Sequence, residues 1–262
     1  MISRYSPGKI ILFGEYSVVF GGHALSGAIS IGTRATVRLS DRYVIENFGE
    51  RKEYTKLEEK RESRNYPIVM LLKKMEKLYH MEPVEIKINS DLKKGLGSSS
   101  STFSSVLRAL NELFNLKMKK DEIFDLVQYA DSFIHGKPSG VDAYTVLNGG
   151  FCLFRKNFVR RIDADEFEVL VIPGNEKETT KKMVEKVEKN CKKYEIFEEI
   201  ERVVFESIDA IRKRRYQKLG KLMIKNHENL RKLGVVSRRA EKIVSDAIAS
   251  GAFGAKTTGG SN

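Results

Sequence analysis

Three clusters of residues in this chain have the types and spacing for chemistry on phosphates. The first is Gly95-Leu96-Gly97-Ser98-Ser99-Ser100-Ser101, preceded by Lys94. A run of small residues between a strand and a helix lets several backbone N–H groups point at one spot, and the helix dipole adds about half a positive charge there. Serine hydroxyls beside such a loop can contact phosphate oxygens or a magnesium ion, which prefers oxygen ligands. The loop lacks the Gly-Lys-Ser/Thr ending of a Walker A motif, and Ser100 stands where the third glycine of a dinucleotide fingerprint belongs. An ordinary serine-capped turn would account for one or two of these serines, but not for four in succession after two glycines.

The second cluster, Ser6-Pro7-Gly8-Lys9, leads through Ile10–Phe13 into Gly14-Glu15-Tyr16. A lysine at a strand start after Pro-Gly is carried on rigid backbone and can be held near a reacting oxygen; taken alone it reads equally as a surface lysine. The third, His135-Gly136-Lys137-Pro138-Ser139-Gly140-Val141-Asp142, brings an aspartate out of a tight turn. That is one way to present a base, and also the usual setting of a helix N-cap.

The elements that must position these residues follow from hydrophobic spacing. Lys9–Gly14 reads as a strand, followed by strand-like residues over 24–29 and 35–39, whereas the charged stretch 42–63 reads as a surface excursion. Pro67 opens a helix with Ile68, Leu71, Leu72, Met75 and Leu78 on one face. Val84–Ile88 alternates as a half-buried strand and runs into the glycine-serine loop. The helix after the loop has Phe103, Val106, Leu107, Leu110 and Leu113 inward, and a second, over about 120–133, has Ile123, Leu126, Val127 and Ala130 inward. The character changes near Gly149-Gly150. Strands at about 150–156 and 167–173 precede charged helices at about 176–191, 195–213, 215–233 and 238–250. Strands followed by helices, rather than strict alternation, indicate an α+β fold, divided into domains 1–150 and 151–262.

Composition narrows the function classes. At 262 residues, 41% hydrophobic and 31% charged, the chain has the make-up of an ordinary globular protein. It has neither a membrane-length apolar run nor the apolar core of a signal peptide, which points to a cytoplasmic setting with no membrane partner. Two cysteines, Cys152 and Cys191, are too few for a disulfide framework or a zinc site. The net charge of +12 is spread over helices dense in both Lys and Glu, and no nucleic-acid-binding signature accompanies it. A small anionic substrate is the more economical partner than nucleic acid. A homodimer is one option for its assembly.

Taken together, the three clusters resemble the motifs of the GHMP kinase family. Pro7-Gly8-Lys9 through Glu15 looks like its first motif, Gly95–Ser99 like its second, and Gly254-Ala255-Lys256-Thr257-Thr258-Gly259 like the start of its third. His135–Asp142 and Asn226–Val235 are similar to the forms found in the members that phosphorylate mevalonate. The resemblance implies a two-domain kinase fold: an N-terminal ribosomal-protein-S5-like α/β domain and a C-terminal ferredoxin-like α+β domain, with ATP as co-substrate and Mg²⁺ as cofactor. It makes Asp142 the catalytic base and Lys9 its partner, and places ATP on Lys94, Gly95, Leu96, Gly97, Ser98, Ser99, Ser100 and Ser101. Magnesium falls to Ser99 and to Asp131, eleven residues before Asp142, where the family usually has glutamate. Glu15, Tyr16 and Ser139 become the substrate contacts. The expected reaction phosphorylates the C5 hydroxyl of (R)-mevalonate, in isoprenoid biosynthesis.

Four departures keep alternatives open. Asp131 is one methylene shorter than glutamate, roughly 1.5 Å, which suits a magnesium contact through water. Tyr16 stands where the mevalonate-specific members often carry histidine and the phosphomevalonate-specific ones an aromatic. Ser100 replaces a small alanine. The third motif departs at Gly260-Ser261-Asn262, so the second domain is expected to be incomplete. Phosphomevalonate, the substrate of another family member, or an impaired nucleotide-binding fragment are the alternatives.

Overall fold

The computed structural model describes residues 1–93, 95–172 and 180–258. The chain forms two compact units: Met1–Lys9 with Ala28–Gly149, and Ile10–Gly27 with the residues from Gly150 onward. Strands β1 (Ile2–Phe13) and β2 (Ala24–Leu39), which pair with each other, each contribute residues to both.

In the first unit β2 runs antiparallel to β5 (Val84–Ser90), from Thr33 opposite Ser90 to Leu39 opposite Val84. Strand β3 (Tyr43–Asn47) lies parallel to β5 on its other side and closes a hairpin with β4 (Glu50–Tyr54). Val84, Ile86 and Ile88 turn inward while Glu85 and Lys87 turn outward, as the two-residue period of a strand requires. Helices α1 (Tyr66–Tyr79), α2 (Ser98–Leu113), α3 (Lys120–His135) and α4 (Val141–Asn148) pack with this sheet around one core. Its centre joins Ala35, Val37 and Ile45 to Leu71, Leu72, Met75, Leu107 and Leu110, all fully buried. Burying each of the larger of these, from Val37 to Leu110, stabilises the fold by about 1.5–3 kcal/mol. Glu122 accepts from the Lys119 backbone N–H at 2.8 Å and so closes the first turn of α3.

In the second unit Ala24–Gly27 of β2 pairs antiparallel with β6 (Phe151–Arg155), and β6 folds back on β7 (Phe158–Ile162). Helices α5 (Thr180–Glu188), α6 (Lys193–Arg212), α7 (Tyr216–Lys232) and α8 (Arg238–Ala249) follow. Ile200, Val203, Val204 and Ile211 of α6 meet Leu219, Leu222 and Leu230 of α7 in a core that also takes in Leu12, Phe13 and Leu25.

The structure corrects three expectations. The stretch 42–63 is not merely a surface excursion, because Tyr43, Val44, Ile45 and Tyr54 of the β3–β4 hairpin are buried in the first core. No strand forms at 167–172, and residue 173 lies outside the described residues; the partner of β6 is Phe158–Ile162, reached through a two-residue turn with Asn157 at φ 61°. An asparagine tolerates that left-handed backbone, so a local hairpin closes at little cost. Leu78 is 53% exposed, its place in the last turn of α1 lying off the buried stripe. Among the described residues no helix is long and apolar enough to cross a membrane.

Candidate active site

The glycine-serine loop is fastened to β1 by contacts that require small residues on both sides. A Cβ on Gly8 would lie 2.4 Å from Leu92 Cδ2 and 2.9 Å from the Leu96 carbonyl oxygen, so the strand can approach the loop only with glycine there. The Lys9 backbone N–H then donates to the Leu96 carbonyl at 2.9 Å. Ser101 donates its hydroxyl to the Ser6 carbonyl at 2.7 Å and accepts from the Thr33 N–H at 3.1 Å, while the Ser6 hydroxyl donates to Ser104 at 3.0 Å. Gly97, with φ 72°, is the N-cap of α2, and its left-handed backbone starts the helix at Ser98. Ser98 and Ser99 stay half-exposed, while Leu96, Gly97, Ser100 and Ser101 are buried. Lys94 lies outside the described residues.

Two carboxylates face this loop. Asp142 stands in the first turn of α4, whose N-cap is the left-handed Gly140, and its Oδ1 is 2.9 Å from Lys9 Nζ. The lysine side chain is only 6% exposed and the aspartate 35%, so the pair is reachable from the carboxylate side. Asp131 on α3 is 2% exposed. Its Oδ2 accepts from the Ser100 hydroxyl at 2.5 Å, whereas its Oδ1 is buried without a partner. Burial pushes the Asp131 carboxyl above its ordinary range, the charge of Asp142 adds to this, and the Ser100 and Ser99 hydroxyls and His135 oppose it.

An unpaired buried carboxylate oxygen beside two serines is a donor set of hard oxygens, which suits magnesium. Among the described residues no group of three or more His, Cys, Asp or Glu forms a ready-made metal cage.

The other candidates occupy different surroundings. Ser139 is exposed in the turn before α4, and its hydroxyl accepts from the Val141 N–H at 3.4 Å. Glu15 and Tyr16 belong to the second unit and are 2% and 6% exposed. Glu15 Oε1 is ion-paired with Lys256 Nζ, and its Oε2 accepts from Asn226 Nδ2 at 3.0 Å. Tyr16 carries φ 62°, a conformation side chains adopt rarely. Sequence reasoning assigns no role to Lys256 or Asn226. The available signal is a single lysine set among the small residues of Gly254–Thr258.

The first unit therefore gathers a glycine-serine loop at a helix start, a lysine–aspartate pair and a second, buried carboxylate. Residues 65–150 match the family profile described as the GHMP kinases N terminal domain. A mevalonate kinase of Archaeoglobus fulgidus is 31% identical over 263 residues, covering 97% of this chain and 87% of that protein. One from Methanocaldococcus jannaschii is 32% identical over 276 residues, with coverage of 97% and 87%. The crystal structure of the Methanococcus jannaschii mevalonate kinase superposes with a TM-score of 0.85 at 28% identity, over 98% of this chain and 86% of that one. The L. major mevalonate kinase in complex with R-mevalonate shares the fold, with a TM-score of 0.80 at 22% identity, over 100% of this chain and 85% of that one.

Proposed function

The chain belongs to the GHMP kinase family, among its mevalonate kinases, and from that membership we propose that it transfers the γ-phosphoryl group of ATP to the C5 hydroxyl of (R)-mevalonate. It is a phosphotransferase with an alcohol group as acceptor. In this reading Asp142 accepts the proton of the attacking hydroxyl. Lys9 orients Asp142 and stabilises charge that develops at the transferring phosphoryl group. The observation that carries the assignment is the 2.9 Å contact between Lys9 Nζ and Asp142 Oδ1, with Lys9 itself pinned to the loop through its backbone N–H.

The loop residues Lys94–Ser101 take the ATP phosphates, through backbone N–H groups at the start of α2 and the half-exposed hydroxyls of Ser98 and Ser99. Asp131 and Ser99 would hold Mg²⁺, whose contribution when bound is to neutralise phosphate charge. The spare oxygen of Asp131 supports that role. Glu15, Tyr16 and Ser139 are the proposed contacts to mevalonate. ATP and mevalonate are then the partners of this chain, and the reaction needs neither a membrane nor a nucleic acid.

Release of ADP, measured with mevalonate, phosphomevalonate, homoserine and galactose in turn, tests the assignment. Magnesium-dependent turnover with mevalonate, at least tenfold above the other three in kcat/KM, is the expected result. A preference for phosphomevalonate would move the chain to the neighbouring activity. Failure with all four would overturn the reading.

A further inference from the structure

In the second unit, segments far apart in sequence converge on the carboxylate of Glu15. Gly254 packs on Gly220 of α7 so closely that a Cβ would lie 2.0 Å from the Gly220 carbonyl oxygen. From there Thr257 donates its N–H to His227 Nδ1 at 3.2 Å, and Thr258 donates its hydroxyl to the Ile11 carbonyl at 2.5 Å. The segment 254–258 is thus fastened both to α7 and to β1. Between these two anchors Lys256 turns inward, 5% exposed, to pair with Glu15, and lies 5.9 Å from the centre of the Phe13 ring. Asn226, fully buried on α7, takes the other carboxylate oxygen.

The loop that carries Glu15 is held just as tightly. Gly14 has φ 90°, and a Cβ there would fall 2.1 Å from the His23 carbonyl oxygen. Tyr16 keeps its φ of 62° with ψ −46°. Backbone in such regions persists only where its surroundings over-determine it, and it concentrates at functional sites.

Stability alone is a poor account of the pair. Two charges this far from water recover little more than their desolvation cost, and well-packed apolar side chains of similar volume often do as well or better. The neighbourhood also keeps polar capacity in reserve: Asn226 Oδ1 and Thr257 Oγ1 are buried with no partner among the described residues. A carboxylate has about four acceptor sites, and Glu15 is seen to use two of them.

We propose that Lys256 and Asn226 are positioning residues for Glu15, fixing its carboxylate in the one orientation from which it meets the mevalonate. The inference rests on the assignment of Glu15 as a substrate contact. Lys256 fixes one oxygen by charge and Asn226 the other by a directed N–H, so the carboxylate plane cannot rotate.

Steady-state kinetics with both substrates, alongside thermal melts, test this on Glu15→Gln, Lys256→Met, Lys256→Arg and Asn226→Ala. Lys256→Met is expected to raise KM for mevalonate roughly ten- to a hundredfold, the scale of a lost charge-assisted hydrogen bond. KM for ATP should stay within about twofold. Lys256→Arg should recover part of the loss, Asn226→Ala should act in the same sense more weakly, and adding Glu15→Gln to Lys256→Met should cost little more. A Lys256→Met enzyme that melts earlier but keeps its mevalonate KM, or one that loses both KM values equally, overturns the proposal. If that variant does not fold, an unchanged mevalonate KM in Asn226→Ala does the same. Glu15→Gln separates the two layers. Unchanged mevalonate kinetics there removes the substrate contact and the proposal with it, whereas an effect of Glu15→Gln with Lys256→Met silent removes the proposal alone.

Discussion

Gly97 and Lys9 are in such close contact that a Cβ on the glycine would stand 2.8 Å from Lys9 Cγ. The glycine-serine loop and the lysine paired with Asp142 therefore cannot be moved independently. The N-cap of α2 shapes the loop, and the same residue leaves the room in which the Lys9 side chain runs toward Asp142.

Gly97→Ala should harm both functions at once. Its φ of 72° costs a non-glycine residue about 1–2 kcal/mol, and the added methyl pushes Lys9 aside. The expected result is a lower melting temperature, a kcat at least tenfold lower and a weaker affinity for ATP. Gly49→Ala is the control. It has a similar φ of 79° in the β3–β4 turn but open space around it, so it should lose stability on the same scale and keep kcat.

Asp142→Asn removes the proposed proton acceptor while leaving a side chain of the same shape beside Lys9. General-base catalysis contributes roughly 10²–10⁴-fold, so kcat should fall by about that factor. ATP affinity, measured by calorimetry, should change by less than about threefold. Lys9→Met should also lower kcat. The double variant should be scarcely worse than either single one, because the two groups act as a unit. Ordinary turnover by Asp142→Asn would take the base away from this position.

Much of this geometry is legible in the amino-acid sequence, and the rest is hidden there for identifiable reasons. The steps of three and four through Phe103, Val106, Leu107 and Leu110, and through Ile123, Leu126, Val127 and Ala130, define faces that are buried in α2 and α3. In β4, Glu50, Arg51 and Glu53 are exposed and Tyr54 is the buried residue, so the strand's inward contribution is lost in a run of charge. The apolar stretch after Glu166 has the composition of a strand but no paired neighbour among the described residues, and the nearer Phe158–Ile162 takes that place. Lys256 and Glu15 are 241 positions apart, and no local periodicity reports such a pairing. The space requirements of Gly8 and Gly97 likewise depend on neighbouring atoms that the chain brings together only on folding.

Asp131→Asn should separate stability from activity. The wild-type carboxyl is held above its ordinary pKa of 3.8 chiefly by burial. A group raised in this way favours the folded state below its unfolded pKa, and loses that contribution as pH rises through the folded value. At neutral pH the buried charge therefore works against folding. Asn keeps the shape without the charge, so the variant without nucleotide should be more stable by on the order of 1 kcal/mol at pH 7, an advantage that shrinks toward pH 4. Its magnesium requirement should rise and its kcat fall. Melts across this pH range, paired with magnesium titrations of the activity, check both halves. A variant less stable than wild type at pH 7 would contradict the first.

His227 supplies the opposite sign. Its pKa is lowered from 6.5 by burial first; Glu241 opposes this, and Lys256 and Arg231 add smaller lowering effects. The geometry gives the reason in hydrogen-bond terms. Nδ1 accepts from the Thr257 N–H, which leaves the ring proton on Nε2 toward Glu241 at 3.4 Å. Protonation at Nδ1 would set two donors against each other and loosen the segment that carries Lys256. A histidine with a depressed pKa contributes stability that is present above its unfolded value of about 6.5 and is lost as pH falls through the folded value. The melting temperature should therefore hold from pH 8 to 7 and decline below about 6.5. His227→Gln, whose side chain can keep an acceptor toward Thr257 but cannot titrate, should flatten that decline. Melts of the two proteins between pH 5 and 8 decide the matter: parallel curves would mean that the acid sensitivity arises elsewhere.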